Sequence, residues 1–485
     1  MNQSLWKKIK KNNEYNDFKK DVDVLIIGAG LSGINTAYFL KDSNLKVCLI
    51  DEGKIGNGAS AYTTGKLTYL QSDICTKIQS IYDYETAKKY LDSQIYAINL
   101  ICNIINENNI DCDLTKNDSY AFTTCDSNKY IIDKIYNFLK KSDIKSELKN
   151  TLPIDIPCKY SLKVSDTYVF NPVKYMYSLC EIIKEKINIC ENVRALNIQK
   201  DNDKYTINTT KGSVKAKYVV VTTQYPFFVC PGLIPFKTHV EKSHVVSSKI
   251  DKIDNFNAIN VDDEVYSIRY YKDDDSYIIF SSESYKMSNH INYEERQNEL
   301  DNKFKKLFNL DVNYRWSTHD LISNDYLPII GEVEDSLFIS TAFNKWGMTN
   351  SVLSGKILSD LILKKDNDFS KLFMPNRKIT LERSINFIKD TLNITKIFVA
   401  TKINKNKSFY TDRVKFININ GKNYGVYIDE NNNKHVIRNL CPHMKCSLLF
   451  NFMDKTWDCP CHGSRFDIDG NVIKGPSVYD IKKDI

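Results

Sequence analysis

An α/β dinucleotide-binding domain, interrupted by an inserted antiparallel sheet and followed by a small all-β domain, is the fold class predicted for this chain. Three observations predict it. Near the N-terminus a buried strand runs through Gly28-Ala29-Gly30-Leu31-Ser32-Gly33 into a helix. Alternating strand-like segments occupy residues 225–325. Two short Cys/His pairs, Cys441-Pro442-His443 and Cys459-Pro460-Cys461-His462, sit among short β segments near the C-terminus.

The first element is the most informative. Val22–Ile27 is a run of buried-strand residues, and the helix expected over Ile34–Leu40 is followed by a second strand, Lys46–Ile50, ending at Asp51. In this setting each glycine has a task. Gly28 permits the tight turn, Gly30 lets the backbone approach a pyrophosphate, and Gly33 allows the helix to pack closely on the strand. The helix N-terminus offers unpaired N–H groups and the positive end of its dipole. Asp51 stands where an acid accepts hydrogen bonds from ribose hydroxyls.

Composition bounds the rest. A chain of 485 residues with 42% hydrophobic and 26% charged residues is ordinary globular protein, long enough for about two to four domains. Its net charge of +7 is spread along the chain and reads as a solvated surface, not a nucleic-acid footprint. The lysine-rich first twenty residues lack the apolar core of a signal peptide, and no window reaches the length of a membrane span, so a cytoplasmic location is expected. Of thirteen cysteines, nine are scattered singly between Cys48 and Cys230, as small buried hydrophobes or surface thiols would be. The other four, Cys441, Cys446, Cys459 and Cys461, need a chemical explanation.

Cys441 and His443, then Cys459 and His462 after a gap of fifteen residues between the two motifs, give a C-x-H…C-x-x-H pattern. Zinc sites of two cysteines and two histidines usually pair Cys with Cys and His with His. One of each per loop instead suits a [2Fe–2S] cluster of Rieske type, with two thiolates on one iron and two imidazoles on the other.

The segment Lys54–Thr68 resembles the loop that follows the second strand in the D-amino acid oxidase-like family of FAD-dependent oxidoreductases. Its Thr63-Thr64-Gly65-Lys66 extension resembles the branch of that family with an appended Rieske domain. Further matches follow in order: Phe170-Asn171-Pro172 before a helix over Val173–Lys186, Val193 at the start of a β-rich run, and Tyr218–Thr223 as a returning strand. Leu327-Pro328-Ile329-Ile330-Gly331, Leu337–Ala342 and Trp346-Gly347-Met348-Thr349 resemble the family's closing flavin motif, with a helix over Asn350–Lys364. Ala342 stands where the family often has glycine, which puts close backbone approach in question there.

The resemblance implies an α/β FAD-binding Rossmann-like domain with an inserted antiparallel-sheet substrate domain (α+β), then a small all-β Rieske domain. Residues 1–370 would form the oxidoreductase domain, with a nucleotide-binding core at 20–80, 150–225 and 325–365 and the substrate domain mainly at 225–325. A helical linker at 371–393 and a Rieske domain at 394–485 would complete the chain. FAD would be held by Gly28, Gly30, Gly33, Asp51, Ser60, Thr64, Val193, Gly331, Gly347, Met348 and Thr349, with Val193 meeting adenine through its backbone. The cluster would be held by Cys441, His443, Cys459 and His462.

Cys446 and Cys461 match the Rieske subset whose two cluster loops are joined by a disulfide; two reduced thiols are the alternative. Ser464 matches a donor to a bridging sulfide. Phe466 stands where high-potential members have a tyrosine that donates to a cysteine sulfur, so an intermediate potential is expected within the Rieske range of ~ −150 to +300 mV.

Several features invite other readings. His239 and His244 suggest a mononuclear iron site, but the domain order is the reverse of a Rieske oxygenase. His319 is read as structural, with a place facing the flavin as the alternative. Arg269 is the best candidate to hold a substrate carboxylate, against the reading of a surface or ion-paired arginine.

The function expected is an FAD-dependent oxidation of a small molecule, probing an amine or amino acid C–N bond, with electrons passed one at a time between flavin and cluster to an external acceptor. The alternative is a non-catalytic electron-transfer or redox-sensing module that docks a partner protein.

Overall fold

The computed structural model describes residues 3–9, 13–228, 234–251, 255–282, 284–286, 293–377, 412–452 and 454–481. The helix expected over Ile379–Leu392 and the strand expected over Lys396–Ile403 lie outside these residues.

The apolar run at the N-terminus folds as Asp21–Ile27, whose Val24, Leu25 and Ile26 are fully buried. It is the middle of a sheet because it is apolar on both faces. Val47–Ile50 pairs with it in parallel on one side, and Gly212–Gln224 on the other. Asn188–Cys190 extends the first side; Leu337–Thr341 and then Ile329–Glu334 extend the second. The carboxyl ends of these parallel strands therefore open on one edge, where α/β sheets bind ligands.

The helices on this sheet are Leu31–Leu40 and Gly347–Ile362. They cross closely at Gly355, where a Cβ would lie 2.7 Å from that of Asn35. At Gly33 a Cβ would fall 1.9 Å from the Gly28 carbonyl oxygen, so only glycine fits that contact.

The inserted sheet is larger than expected. Thr238–Lys249, Ser276–Ser281, Ser267–Lys272 and Phe256–Asn260 are antiparallel neighbours, and Tyr314–Ser323 runs along Thr238–Lys249. The sheet then recruits Thr115–Thr123, Tyr160–Val169 and Lys66–Leu67 from earlier in the chain. It is mixed, because Phe256–Asn260 is parallel to Thr115–Thr123. The expected antiparallel sheet at 225–325 is thus only half of it. The missing half lies where the motifs are silent, as do the helices Tyr84–Glu107 and Lys129–Lys141.

The C-terminal domain has two small sheets. One is Val414–Ile419, Lys422–Ile428 and Lys434–Arg438; the other is Leu449–Asn451, Thr456–Asp458, Arg465–Phe466 and Val472–Lys474. Trp457, Phe450, Phe466 and Ile437 form its core. Among the described residues no helix is long and apolar enough to cross a membrane.

Arg377 anchors the end of the first domain. Its guanidinium holds Asp325 through two bonds of 2.6 and 2.7 Å and donates to the carbonyls of Leu327 and Pro328. Tyr82 donates to the same carboxylate. With both partners largely buried, removing the cation strands a carboxylate. Arg377→Met is expected to destabilise the protein by about 3–5 kcal/mol in chemical denaturation.

Candidate functional site

A cavity of about 990 Å³ opens at the carboxyl edge of the parallel sheet. Gly28, Gly30, Asp51, Ser60, Thr64, Val193, Gly347 and Met348 all line it. Gly28 has φ +107°, the left-handed region its turn requires. A Cβ on Gly30 would lie 3.2 Å from the Ser60 hydroxyl oxygen, which accepts from the Leu31 N–H. Gly30 also provides no side-chain cap to the Leu31–Leu40 helix. The result is a close backbone cradle at a helix start, which fits the diphosphate of FAD.

Asp51 accepts hydrogen bonds from the N–H groups of Ala29 (2.7 Å) and Gly53 (2.9 Å). Burial pushes its carboxyl up to about 7 despite these bonds. The Val193 N–H donates to the Asp51 carbonyl at 2.8 Å, so the residue meant for adenine is also tied to the ribose position. Three expected residues lie off the cavity. Gly33 packs the helix, Gly331 abuts Pro375, and Thr349 donates to Gln94 at 2.6 Å. Ala342 lines the cavity with φ +57°, so the turn keeps a glycine-like conformation at a cost of about 1–2 kcal/mol.

Arg269 requires a correction. It is 1% exposed, does not line the cavity, and donates to the backbone carbonyls of Thr64, Phe170 (2.9 Å) and Tyr270 (3.3 Å). Its guanidinium lies 5.3 Å from the Trp6 ring and 5.6 Å from that of Tyr271. It serves the fold, holding the 64–66 turn, because a strand residue facing inward meets carbonyls there and not solvent. Trp6 does the same from the N-terminal lead, donating to the Thr63 carbonyl at 2.7 Å. The polar lead gave no hint of this beyond one tryptophan.

The C-terminal loops bring the four cluster residues together. His443 and His462 rings are 4.9 Å apart, and the Nδ1 atoms of both are buried without a hydrogen-bond partner. Burial keeps both imidazoles neutral, His443 at about 4 and His462 at about 3. The Cys459 thiol, then the His443 N–H, the Ser464 hydroxyl and the Met444 N–H, hold Cys441 below the ordinary thiol value. Two neutral imidazoles with orphaned nitrogens beside two hydrogen-bonded sulfurs fit a [2Fe–2S] cluster.

Cys446 and Cys461 are joined in a disulfide across the two loops. The sulfurs of Cys446, Cys459 and Cys461 cluster within 4.8 Å, but two are bonded to each other and cannot be ligands. Ser464 is buried beside Cys441, and its oxygen accepts from the Ser477 N–H at 2.9 Å. Phe466 is fully buried.

The cavity is continuous from the glycine turn to these loops. His462, Gly463, Arg465, Lys474 and Pro476 line it together with Gly28 and Asp51. Tyr225, directly after the Gly212–Gln224 strand, packs its ring 5.0 Å from His462 and 5.8 Å from His443. His319 is buried in the same wall, with its Nδ1 3.7 Å from where a Cβ on Gly463 would stand. Neither position could be read from spacing. His239 and His244 do not form a metal pair. They are five apart on one strand and so point to opposite faces; His239 meets Glu241 (3.1 Å), while His244 meets Gln297 (3.0 Å) and Tyr285 (2.8 Å).

Comparison with known proteins agrees with this geometry. A family model described as FAD dependent oxidoreductase matches residues 23–361, and one described as Rieske [2Fe-2S] domain matches residues 400–483. YhfW of Bacillus subtilis (strain 168), whose name describes a Rieske 2Fe-2S iron-sulfur protein, is 30% identical over 478 residues, covering 96% of this chain and 93% of that protein. Among solved structures, glycine oxidase from Geobacillus kaustophilus superposes with a TM-score of 0.62 at 16% identity, over 75% of this chain and 100% of its own. L-amino acid deaminase from Proteus vulgaris gives 0.60 at 20%, over 76% and 97%.

Two outcomes are expected. His462→Ala loses iron and the cluster's visible absorption while retaining FAD, as measured by metal and flavin content. Arg269→Met lowers stability by about 1–3 kcal/mol in a denaturant titration, through buried carbonyls left without donors.

Proposed function

Because the chain belongs to the FAD dependent oxidoreductase family and ends in a Rieske [2Fe-2S] domain, we propose that it oxidises the C–N bond of an amine or amino acid derivative and passes the electrons singly to an external acceptor. When bound, FAD supplies two-electron chemistry and the cluster one-electron transfer.

The observation that carries this reading is the shared cavity, with the glycine turn and Asp51 at one part of its wall and the His462 loop at another. The chain's own residues do the arranging. Tyr225 packs both cluster histidines against the strand whose end, Thr222–Gln224, lines the cavity. Thr341 and Gln224 set that strand end: Thr341 donates to the Gln224 carbonyl, and the Gln224 amide donates to the His319 carbonyl. The histidine face is thereby turned inward, and an outside acceptor meets another face of the C-terminal domain.

The substrate class is supported by the fold shared with a glycine oxidase and an L-amino acid deaminase. The start of the Gly347–Ile362 helix lines the cavity and offers its positive dipole end where negative charge develops on reduction.

The test is anaerobic mixing with a panel of amines and amino acids, following flavin absorbance and the EPR signal of the reduced cluster. Flavin bleaching followed by the cluster signal is expected. If a redox partner protein bleaches the flavin and no amine or amino acid does, the protein is an electron-transfer module and the enzymatic reading fails. In Tyr225→Ala, bleaching by substrate should persist while the cluster signal grows more slowly than in the wild type.

A further inference from the structure

The cavity wall contains several cations, and most already have an acid. Arg315 holds Asp301 at 2.6 Å, Lys345 holds Glu241 at 2.8 Å, Arg465 holds Asp454 at 2.6 Å, and Arg194 holds Glu52 at 3.1 Å. Lys66 and Lys474 are different: among the described residues neither has a carboxylate within 4.0 Å. Lys474 belongs to the C-terminal domain and feels Asp320 and Glu52 nearby. Lys66 feels no acid; the charged group acting on it is Arg269, a second cation.

Lys66 is also the more buried of the two, at 8% exposure. A buried ammonium without an anion is costly, and burial followed by Arg269 pulls it down to about 7. Its position is rigidly set. The preceding turn is held from behind by Trp6 on the Thr63 carbonyl and Arg269 on the Thr64 carbonyl, and Lys66 itself pairs with Val169 in the mixed sheet. Its Nζ lies 5.7 Å from the ring of Trp346, next to Gly347 and Met348 at the start of the closing helix. Ser267 and Ser281, which hydrogen-bond each other at 2.8 Å, line the same cavity from the mixed sheet.

We infer that Lys66 binds the carboxylate of the substrate, so that the preferred substrates are amino acids and not simple amines. This rests on the enzymatic reading above and assigns to Lys66 the task that the sequence suggested for Arg269. An incoming carboxylate supplies the anion the lysine lacks, and an ammonium–carboxylate hydrogen bond in a water-poor site is of the strong, charge-assisted kind. Lys66 thereby acts as a specificity-determining residue.

The experiment uses the FAD-loaded, full-length protein. Wild type, Lys66→Met and Lys66→Arg are titrated with benzoate and with benzamide, following the visible flavin spectrum. Wild type should bind benzoate better than benzamide. Lys66→Met should lose roughly ten- to a hundred-fold in benzoate affinity and little in benzamide affinity. Lys66→Arg should keep most of the preference. Anaerobic bleaching is then compared for glycine against methylamine and L-proline against pyrrolidine, with Lys66→Met slowing only the amino acids.

Absence of benzoate binding to wild type, equal affinity for benzoate and benzamide, or benzoate affinity unchanged in Lys66→Met each overturns the inference. A shifted flavin potential in Lys66→Met with benzoate affinity intact assigns the lysine to the flavin and overturns it also. Failure of every compound to bleach the flavin counts against the enzymatic reading alone, since the static titration decides the anion site separately.

Discussion

Lys242 is the contact on which the arrangement of this molecule depends. It projects from the mixed sheet, is fully buried, and reaches Asp454 (3.5 Å) and Asp458 (3.7 Å) of the C-terminal domain. Arg465 holds the same two carboxylates at 2.6 and 3.1 Å, so two cations meet two acids. Burying such a group is tolerable only when each charge has its partner. The network therefore favours one docking geometry over sliding alternatives, and that geometry is what turns His443 and His462 toward Tyr225. Arg194 adds a second tether, donating to the Val472 carbonyl at 3.2 Å while paired to Glu52 beside the nucleotide turn.

The docking changes the meaning of the histidine face. In a free Rieske domain the two imidazoles would be the natural place for a partner to approach. Here they are covered by an aromatic ring from the other domain, and the loops that carry them become part of a cavity wall. A one-electron centre placed this way communicates inward, with the flavin domain, before it communicates outward.

A similar inversion applies around the 63–66 turn. The N-terminal lead and Arg269 act together as a brace, with Trp6 and Arg269 supplying the donors and Tyr271 the packing. The guanidinium suits this task because its fork of donors can satisfy several carbonyls at once. A lysine suits the cavity side, where one mobile ammonium can meet an anion that comes and goes.

Much of this was legible in the sequence, and for a physical reason. A dinucleotide cradle and a cluster loop are local objects: Gly28, Gly30 and Gly33, or Cys459 and His462, lie within a few residues because one turn must hold one group. Their spacing therefore carries the chemistry, and with it the family, the two cofactors and the domain order. What tertiary structure alone decided depends on segments far apart in the chain. Whether Arg269 or Lys66 faces the cavity follows from how Lys66–Leu67 pairs with Tyr160–Val169 and how Ser267–Lys272 packs against the lead. That Tyr225 meets the cluster histidines follows from the buried charges between the domains. Side-chain direction in a sheet is set by register, and register here is set by strands a hundred residues away, which no motif encodes.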